Sequence, residues 1–217
     1  MRKLVLMLVP ALALAGCIKF EGGEHINGAV SVAAGHPAAD ASTVNGGIDL
    51  AANAAAKKIE TVNGSINLGA RAVADSAETV NGAITLGAGA RVGGNVETVN
   101  GAITLHKGAE VAGNLENVNG RFDLEAAHVG GGIETFNGDI SVGADSRVDG
   151  GIAVRKSKGF SISFTKDVPK VVIGPGAVVK GPLEFEREVT LYVSDRATIG
   201  PVTGASPIAF PGDLPPG

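Results

Sequence analysis

The 217-residue chain has no tryptophan, one tyrosine and 4% aromatic residues overall. That is poor material for a compact core of large side chains, and a thin, repetitive core suits it better. Cysteine occurs once, so no disulfide can form within a single chain. The 3.6-residue pattern and the longer repeat lengths of helical solenoids are both missing. Proline is absent from 38 to 168 and then recurs up to 216, which sets the C-terminal end apart. The one sustained apolar run, residues 4 to 13, is shorter than the roughly 20 residues a membrane-spanning helix needs.

What the chain has in abundance is repetition. Glu78-Thr79-Val80-Asn81-Gly82-Ala83-Ile84-Thr85-Leu86 returns as Glu97-Thr98-Val99-Asn100-Gly101-Ala102-Ile103-Thr104-Leu105. Asn-Gly pairs stand at Asn27, Asn45, Asn63, Asn81, Asn100, Asn119 and Asn137, at intervals of 18 or 19 residues. Apolar residues alternate within each period, which is the pattern of strands. A period of about 18 divides into three sides of about six residues, and stacked coils then pair at a spacing of about 4.8 Å. The expected fold is therefore all-β, a single-stranded parallel β-helix (β-solenoid), three-sided and right-handed, with Asn45, Asn63, Asn81, Asn100, Asn119 and Asn137 forming a structural ladder.

Asn and Gly both tolerate the left-handed backbone of a sharp corner, which is the role expected of the pair. Val44, Val62, Val80, Val99, Val118 and Phe136 are expected to form one internal stack, and Ile48, Ile66, Ile84, Ile103, Phe122 and Ile140 another. A second motif shares the period and outlasts the first: Val92-Gly93-Gly94-Asn95-Val96, Val111-Ala112-Gly113-Asn114-Leu115, Val129-Gly130-Gly131-Gly132-Ile133, Val148-Asp149-Gly150-Gly151-Ile152 and Val179-Lys180-Gly181-Pro182-Leu183. On these residues the stretch from about 26 to 203 resembles two families. One is the adhesin-type β-helical repeats of bacterial envelope proteins, with Thr-Val-Asn-Gly-Ser-Ile coils; the other is the polymer-forming bactofilins, with Ala-x-Val-x-Gly-x-Ile coils. The first resemblance implies a structural or adhesive role, the second a scaffold that self-associates end to end.

Met1-Arg2-Lys3 and the apolar run after it read as an export signal. Leu14-Ala15-Gly16-Cys17 resembles the lipobox of bacterial lipoproteins, which implies cleavage after residue 16 and a lipidated Cys17 as the new N-terminus. Removing residues 1 to 16 takes away two of the 18 basic residues, leaving 16 against 22 acidic ones and a charge of −6, which argues against nucleic acid as a partner. Ile18 stands where lipoproteins retained in the inner membrane carry Asp, so the resemblance implies the outer membrane, with membrane lipid as the partner of acylated Cys17. The expected organisation is a signal peptide at 1–16, lipidated Cys and tether at 17–25, solenoid at 26–203 with an insertion near 155–168, and a Pro/Gly-rich tail at 204–217.

The insertion is the one clear break in the repeat, since Val148 and Val179 are 31 residues apart. It carries Arg155, Lys156, Lys158, Lys166 and Lys170 against Asp167, a basic segment in an acidic protein, and insertions on solenoids map to loops that often bind. Two readings stand open. Phe160, Ile162 and Phe164 alternate into an enlarged coil, or the basic residues meet anionic lipid, lipopolysaccharide or another acidic envelope polymer.

Glu60, Glu78, Glu97, Glu116 and Glu134 should form an exposed carboxylate column, with a repulsion in water of about 0.8 kcal/mol per neighbouring pair that a hard cation such as Ca²⁺ would relieve. The Asp-rich nonapeptide of calcium-binding β-rolls is missing, and no metal or cofactor is expected. Thr43, Thr61, Thr79, Thr98 and Thr135 form a parallel hydroxyl column. His25, His36, His106 and His128 occupy different phases of the repeat and should not converge on a metal. Asn63-Gly64-Ser65 matches a glycosylation sequon only as a by-product of the repeat. Polysaccharide-cleaving β-helices need acid and base clusters on grooves built by long side loops, and solenoid acyltransferases depend on a cleft histidine. Neither is evident, and a non-catalytic envelope protein is expected, with an envelope protein or polysaccharide as partner.

Overall fold

The computed structural model describes residues 24–36, 38–156 and 168–215. Strands are short, and the chain deals them out to three faces in turn. Lys58–Asn63 lies on the first face, Ile66–Leu68 on the second and Val73–Ala74 on the third, after which Ser76–Asn81 returns to the first. Repeating this route builds three parallel sheets of ten, ten and seven strands. Asn63 pairs with Asn81 and Asn81 with Asn100, so residues one period apart lie directly over one another, and the fold is the expected three-sided β-solenoid.

The core is a set of vertical stacks. Ile48, Ile66, Ile84, Ile103, Phe122 and Ile140 follow one another rung by rung on the second face, each fully buried, as the periodicity predicts. The Leu50, Leu68, Leu86, Leu105 and Leu124 stack runs beside it, and Val92, Val111, Val129 and Val148 line the third face. Each such side chain contributes about 1.5–3 kcal/mol by leaving water.

The valine stack is not where alternation places it. Val44, Val62, Val80, Val99, Val118 and Phe136 are only half-buried, while the threonines one position earlier are buried. Between Thr61 and Ile66, both inward, lie four residues, so the Asn-Gly corner flips the strand parity. Counting back from the isoleucines in steps of two lands on the wrong side of the sheet.

The glycine of the pair also serves a different purpose from the expected one. Only Gly28 and Gly120 in this column have positive φ, at 123° and 131°. At Gly46, Gly64, Gly82 and Gly101 the constraint is space, because a Cβ would sit inside the carbonyl oxygen of the glycine one coil below. The left-handed corner is the next one along, where Asn53, Arg71, Gly89, Gly108, Ala126, Asp145 and Gly176 all have φ between 44° and 74°.

One boundary departs from the expected ones. The first face ends at Val202–Thr203, but Ile208–Phe210 adds a further rung to the second face by pairing with Thr190–Ser194, so the solenoid ends at 210 rather than 203. Phe210, 1% exposed, is buried on this last rung opposite Ser194, and Arg196 donates to Asp213 at 2.6 Å in the segment that follows. The insertion leaves the stacking intact: Ile140 pairs with Val171 and Val142 with Ile173 across it. It enters at the Asn-Gly corner between Ile152–Val154 and Lys170–Ile173.

Candidate functional site

The first face and its Asn-Gly corner carry the polar chemistry. Along the corner each asparagine Nδ2 donates to the Oδ1 of the asparagine one coil nearer the N-terminus, Asn45 to Asn27, Asn63 to Asn45, Asn81 to Asn63, Asn100 to Asn81 and Asn119 to Asn100, each at 3.0 Å, and Asn137 to Asn119 at 3.4 Å. The parallel register sets the geometry, since identical residues on adjacent rungs sit at the strand spacing of about 4.8 Å and a primary amide spans that gap with one bond. At the last rung Arg187 takes over, its Nη1 donating to Asn137 Oδ1 at 3.1 Å and to the Phe136 carbonyl at 3.0 Å.

Behind the ladder lies the buried hydroxyl column. Thr43, Thr61, Thr79 and Thr98 donate to the carbonyls of Gly28, Gly46, Gly64 and Gly82, at 2.9–3.1 Å. These four rungs of the expected column are therefore an internal brace that satisfies corner carbonyls, whereas the Thr135 hydroxyl, equally buried, meets no acceptor among the described residues. Asn117 occupies the rung after Thr98, 4% exposed, and among the described residues neither its Nδ2 nor its Oδ1 has a partner. Replacing it with the residue its neighbours use, Asn117→Thr, should place a hydroxyl by the Gly101 carbonyl and raise stability by about 1–2 kcal/mol, read as a higher urea midpoint at unchanged m value.

The carboxylate column runs as Glu60, Glu78, Glu97, Glu116 and Glu134, half-buried rather than exposed, then Ala153 and Glu184. The chain supplies partners for most of it. Lys58 reaches Glu60 at 2.6 Å, and Asn95 and Asn114 donate to Glu97 and Glu116 at 3.2 and 3.3 Å. Arg155 spans the Ala153 gap, its Nε donating to Glu134 and its Nη1 to Glu184 and Glu186 at 3.1–3.2 Å. A groove of about 240 Å³ lies here, lined among others by Gly132, Gly151, Ala153, Glu116, Glu134 and Arg155.

Two members of the column are displaced in pKa. Burial pushes Glu116 above its ordinary 4.5, with Glu97 and Glu134 adding to the shift and Asn114 opposing it. Burial likewise raises Glu78, with Lys58 opposing and Glu60 and Glu97 adding. A carboxyl with a raised folded-state pKa contributes stability that is present below its unfolded value and lost as pH rises through the folded value. The column should therefore stabilise the fold on acidification from neutral pH toward 4.5. Glu78→Gln and Glu116→Gln should each raise stability at neutral pH by a few tenths of a kcal/mol, the group being partly solvated, and flatten the pH dependence of the melting temperature over that window.

The third face carries a separate chain of ionisable side chains: Arg91 to Glu110 at 3.4 Å, Glu110 to His128 at 3.7 Å, His128 to Asp149 at 2.9 Å, and Asp149 to Arg147 and Lys180 at 2.8 and 3.0 Å. The His128 hydrogen bond, then Lys180 and Arg147, hold the Asp149 carboxyl well below the usual carboxylate range. His106 pairs separately with Glu125 at 2.7 Å. Among the described residues, no three or more His, Cys, Asp or Glu side chains converge as metal ligands would.

Of the basic residues of the insertion, Arg155 is engaged by its own chain's carboxylates. Lys156 is exposed, its backbone N–H donating to Glu186. Lys170 donates its backbone N–H to Asp139, and its ammonium lies 5.0 Å from the centre of the Tyr192 ring. Cys17, Lys158, Lys166, Phe160, Ile162 and Phe164 lie outside the described residues. No helix among the described residues is long and apolar enough to cross a membrane.

Sequence reasoning missed Arg187, Phe210 and the left-handed corner. The corner alone left a periodic trace, Gly, Asn or Asp at Asn53, Gly89, Gly108, Asp145 and Gly176. The fold and these ladders define a β-solenoid with in-register polar columns on its faces. Comparison with protein-family models, with curated proteins and with solved structures returns no match in any of the three.

Proposed function

We propose that this is a lipid-anchored protein of the bacterial envelope, held to the outer membrane through acylated Cys17, whose solenoid serves as a structural or adhesive module and performs no catalysis. The observation that carries this reading is the first face itself, a stiff, regular array of amide and carboxylate rungs that begins with the strand Glu24–Asn27, a few residues beyond Cys17. Such an array suits a partner that is itself repetitive, an envelope polysaccharide or an extended protein, and so short a tether holds it close to the bilayer. Lys156 and Lys170 add a place for acidic groups of such a partner or of lipid.

The extra rung Ile208–Phe210 on one face and the Arg196–Asp213 pair beyond it cover part of the C-terminal tip, which supports a self-contained module over a scaffold that polymerises through both tips. One acyl chain binds a bilayer marginally and two or more bind stably. Cys17→Ser is therefore expected to move the protein from the detergent-requiring membrane fraction to the soluble fraction of an envelope preparation. Recovery of the Cys17→Ser variant with the membranes, or of the unaltered protein in the soluble fraction, would overturn the anchor.

A further inference from the structure

Asn-Gly is the dipeptide in which an asparagine side chain is most open to attack by the next backbone nitrogen, because glycine places no Cβ in the way. The chain carries seven such pairs, and the fold protects six of them alike. The nitrogens of Gly28, Gly46, Gly64, Gly82, Gly101 and Gly120 each donate to the carbonyl of the asparagine one coil further on, at 2.8–3.3 Å. A nitrogen held in that bond cannot turn onto its neighbour's side chain without breaking the rung.

The seventh pair is Asn137-Gly138. The following coil stays in register as far as the Arg155 N–H, which donates to the Thr135 carbonyl at 2.8 Å, and then departs into the insertion. The Lys156 N–H goes to Glu186 instead, and among the described residues the Gly138 N–H donates to no acceptor. Asn137 is exposed, its bond to Asn119 is the longest of the ladder at 3.4 Å, and Arg187 Nη1 is 3.1 Å from its Oδ1. That Oδ1 is the atom that takes up negative charge when the side-chain carbonyl carbon is attacked, so the guanidinium favours the addition.

We propose that Asn137 is a site of spontaneous, fold-directed deamidation. The Gly138 nitrogen, giving its proton to hydroxide, adds to Asn137 Cγ. The Cγ–Nδ2 bond then breaks, and the amide leaves as ammonia after taking a proton from water, giving a five-membered succinimide. Water opens that ring at either carbonyl, to aspartate or to isoaspartate, with no oxidant or reductant involved. Either product puts a carboxylate against Arg187, and isoaspartate also lengthens the main chain by one carbon at the last rung.

The test is peptide mapping by mass spectrometry of the purified full chain after incubation at mildly alkaline pH, with fragmentation that separates isoaspartate from aspartate, alongside the same incubation in denaturing urea. In the folded protein the acid form should accumulate at Asn137 about tenfold or more faster than at Asn27, Asn45, Asn63, Asn81, Asn100 or Asn119, the factor one net hydrogen bond contributes to a barrier. In urea the seven sites should converge. Comparable rates at all seven sites in the folded protein, or an Asn137 lead that persists in urea, would overturn the proposal.

Discussion

Gly82→Ala should be among the most damaging single-methyl changes in the protein, costing more than about 3 kcal/mol and splitting the cooperative unfolding transition into two. The added Cβ would overlap the carbonyl oxygen of Gly64, and the atom it strikes belongs to the main chain, which cannot rotate away as a side chain would. That same carbonyl accepts the Thr79 hydroxyl at 3.0 Å, so pushing it aside also strands a buried donor. In a solenoid each coil touches only its neighbours, so stability is close to a sum of coil and interface terms. A wedge between the coils of Asn63 and Asn81 weakens one interface and uncouples the coils below from those above. Urea unfolding followed by hydrogen exchange should show residues 41–68 losing protection before residues 96–154, and a single transition displaced by under 1 kcal/mol would refute the packing argument.

Phe122→Ala should cost about 3–5 kcal/mol, whereas Phe122→Ile should cost no more than about 1.5 kcal/mol. Phe122 is fully buried, the one aromatic in a stack whose neighbours on the adjoining rungs are Ile103 and Ile140. An isoleucine there restores the side chain the column otherwise uses, while an alanine leaves a void that the rigid rungs cannot close. The comparison is best read from paired denaturant titrations of the two variants. Equal losses would mean that the coil has been shaped around the ring and that the stack is not the interchangeable unit the register implies.

The period was the most legible property of this chain. Seven Asn-Gly pairs at intervals of 18 or 19 residues fix which residues overlie which, and the observed pairing of Asn81 with Asn63 and Asn100 follows directly. Which way each side chain points was less so, because alternation holds along a strand and lapses at a corner. Val80 and Thr79 exchanged places for that reason alone. The carboxylate column was legible as a column, but its counter-charges were not: Arg155 comes from a later coil, and it reaches Glu184 and Glu186, 29 and 31 residues on, across the insertion that interrupts the regular period. The same holds for Arg187, 50 residues from Asn137, and for Phe210, which lies in a proline-flanked tail that composition alone marks as irregular.

The backbone hydrogen bonds of the sheets run alternately up and down the column, so their dipoles nearly cancel, as in other sheets. The asparagine side chains do not alternate. All six of their bonds point toward the N-terminus, so seven amide dipoles add head to tail and give this protein on one edge what an α-helix has along its axis. Arg187 then stands where a cation would stand at the C-terminal end of a helix, against the negative pole. Asn27, the first rung, leaves the positive pole at the opposite tip.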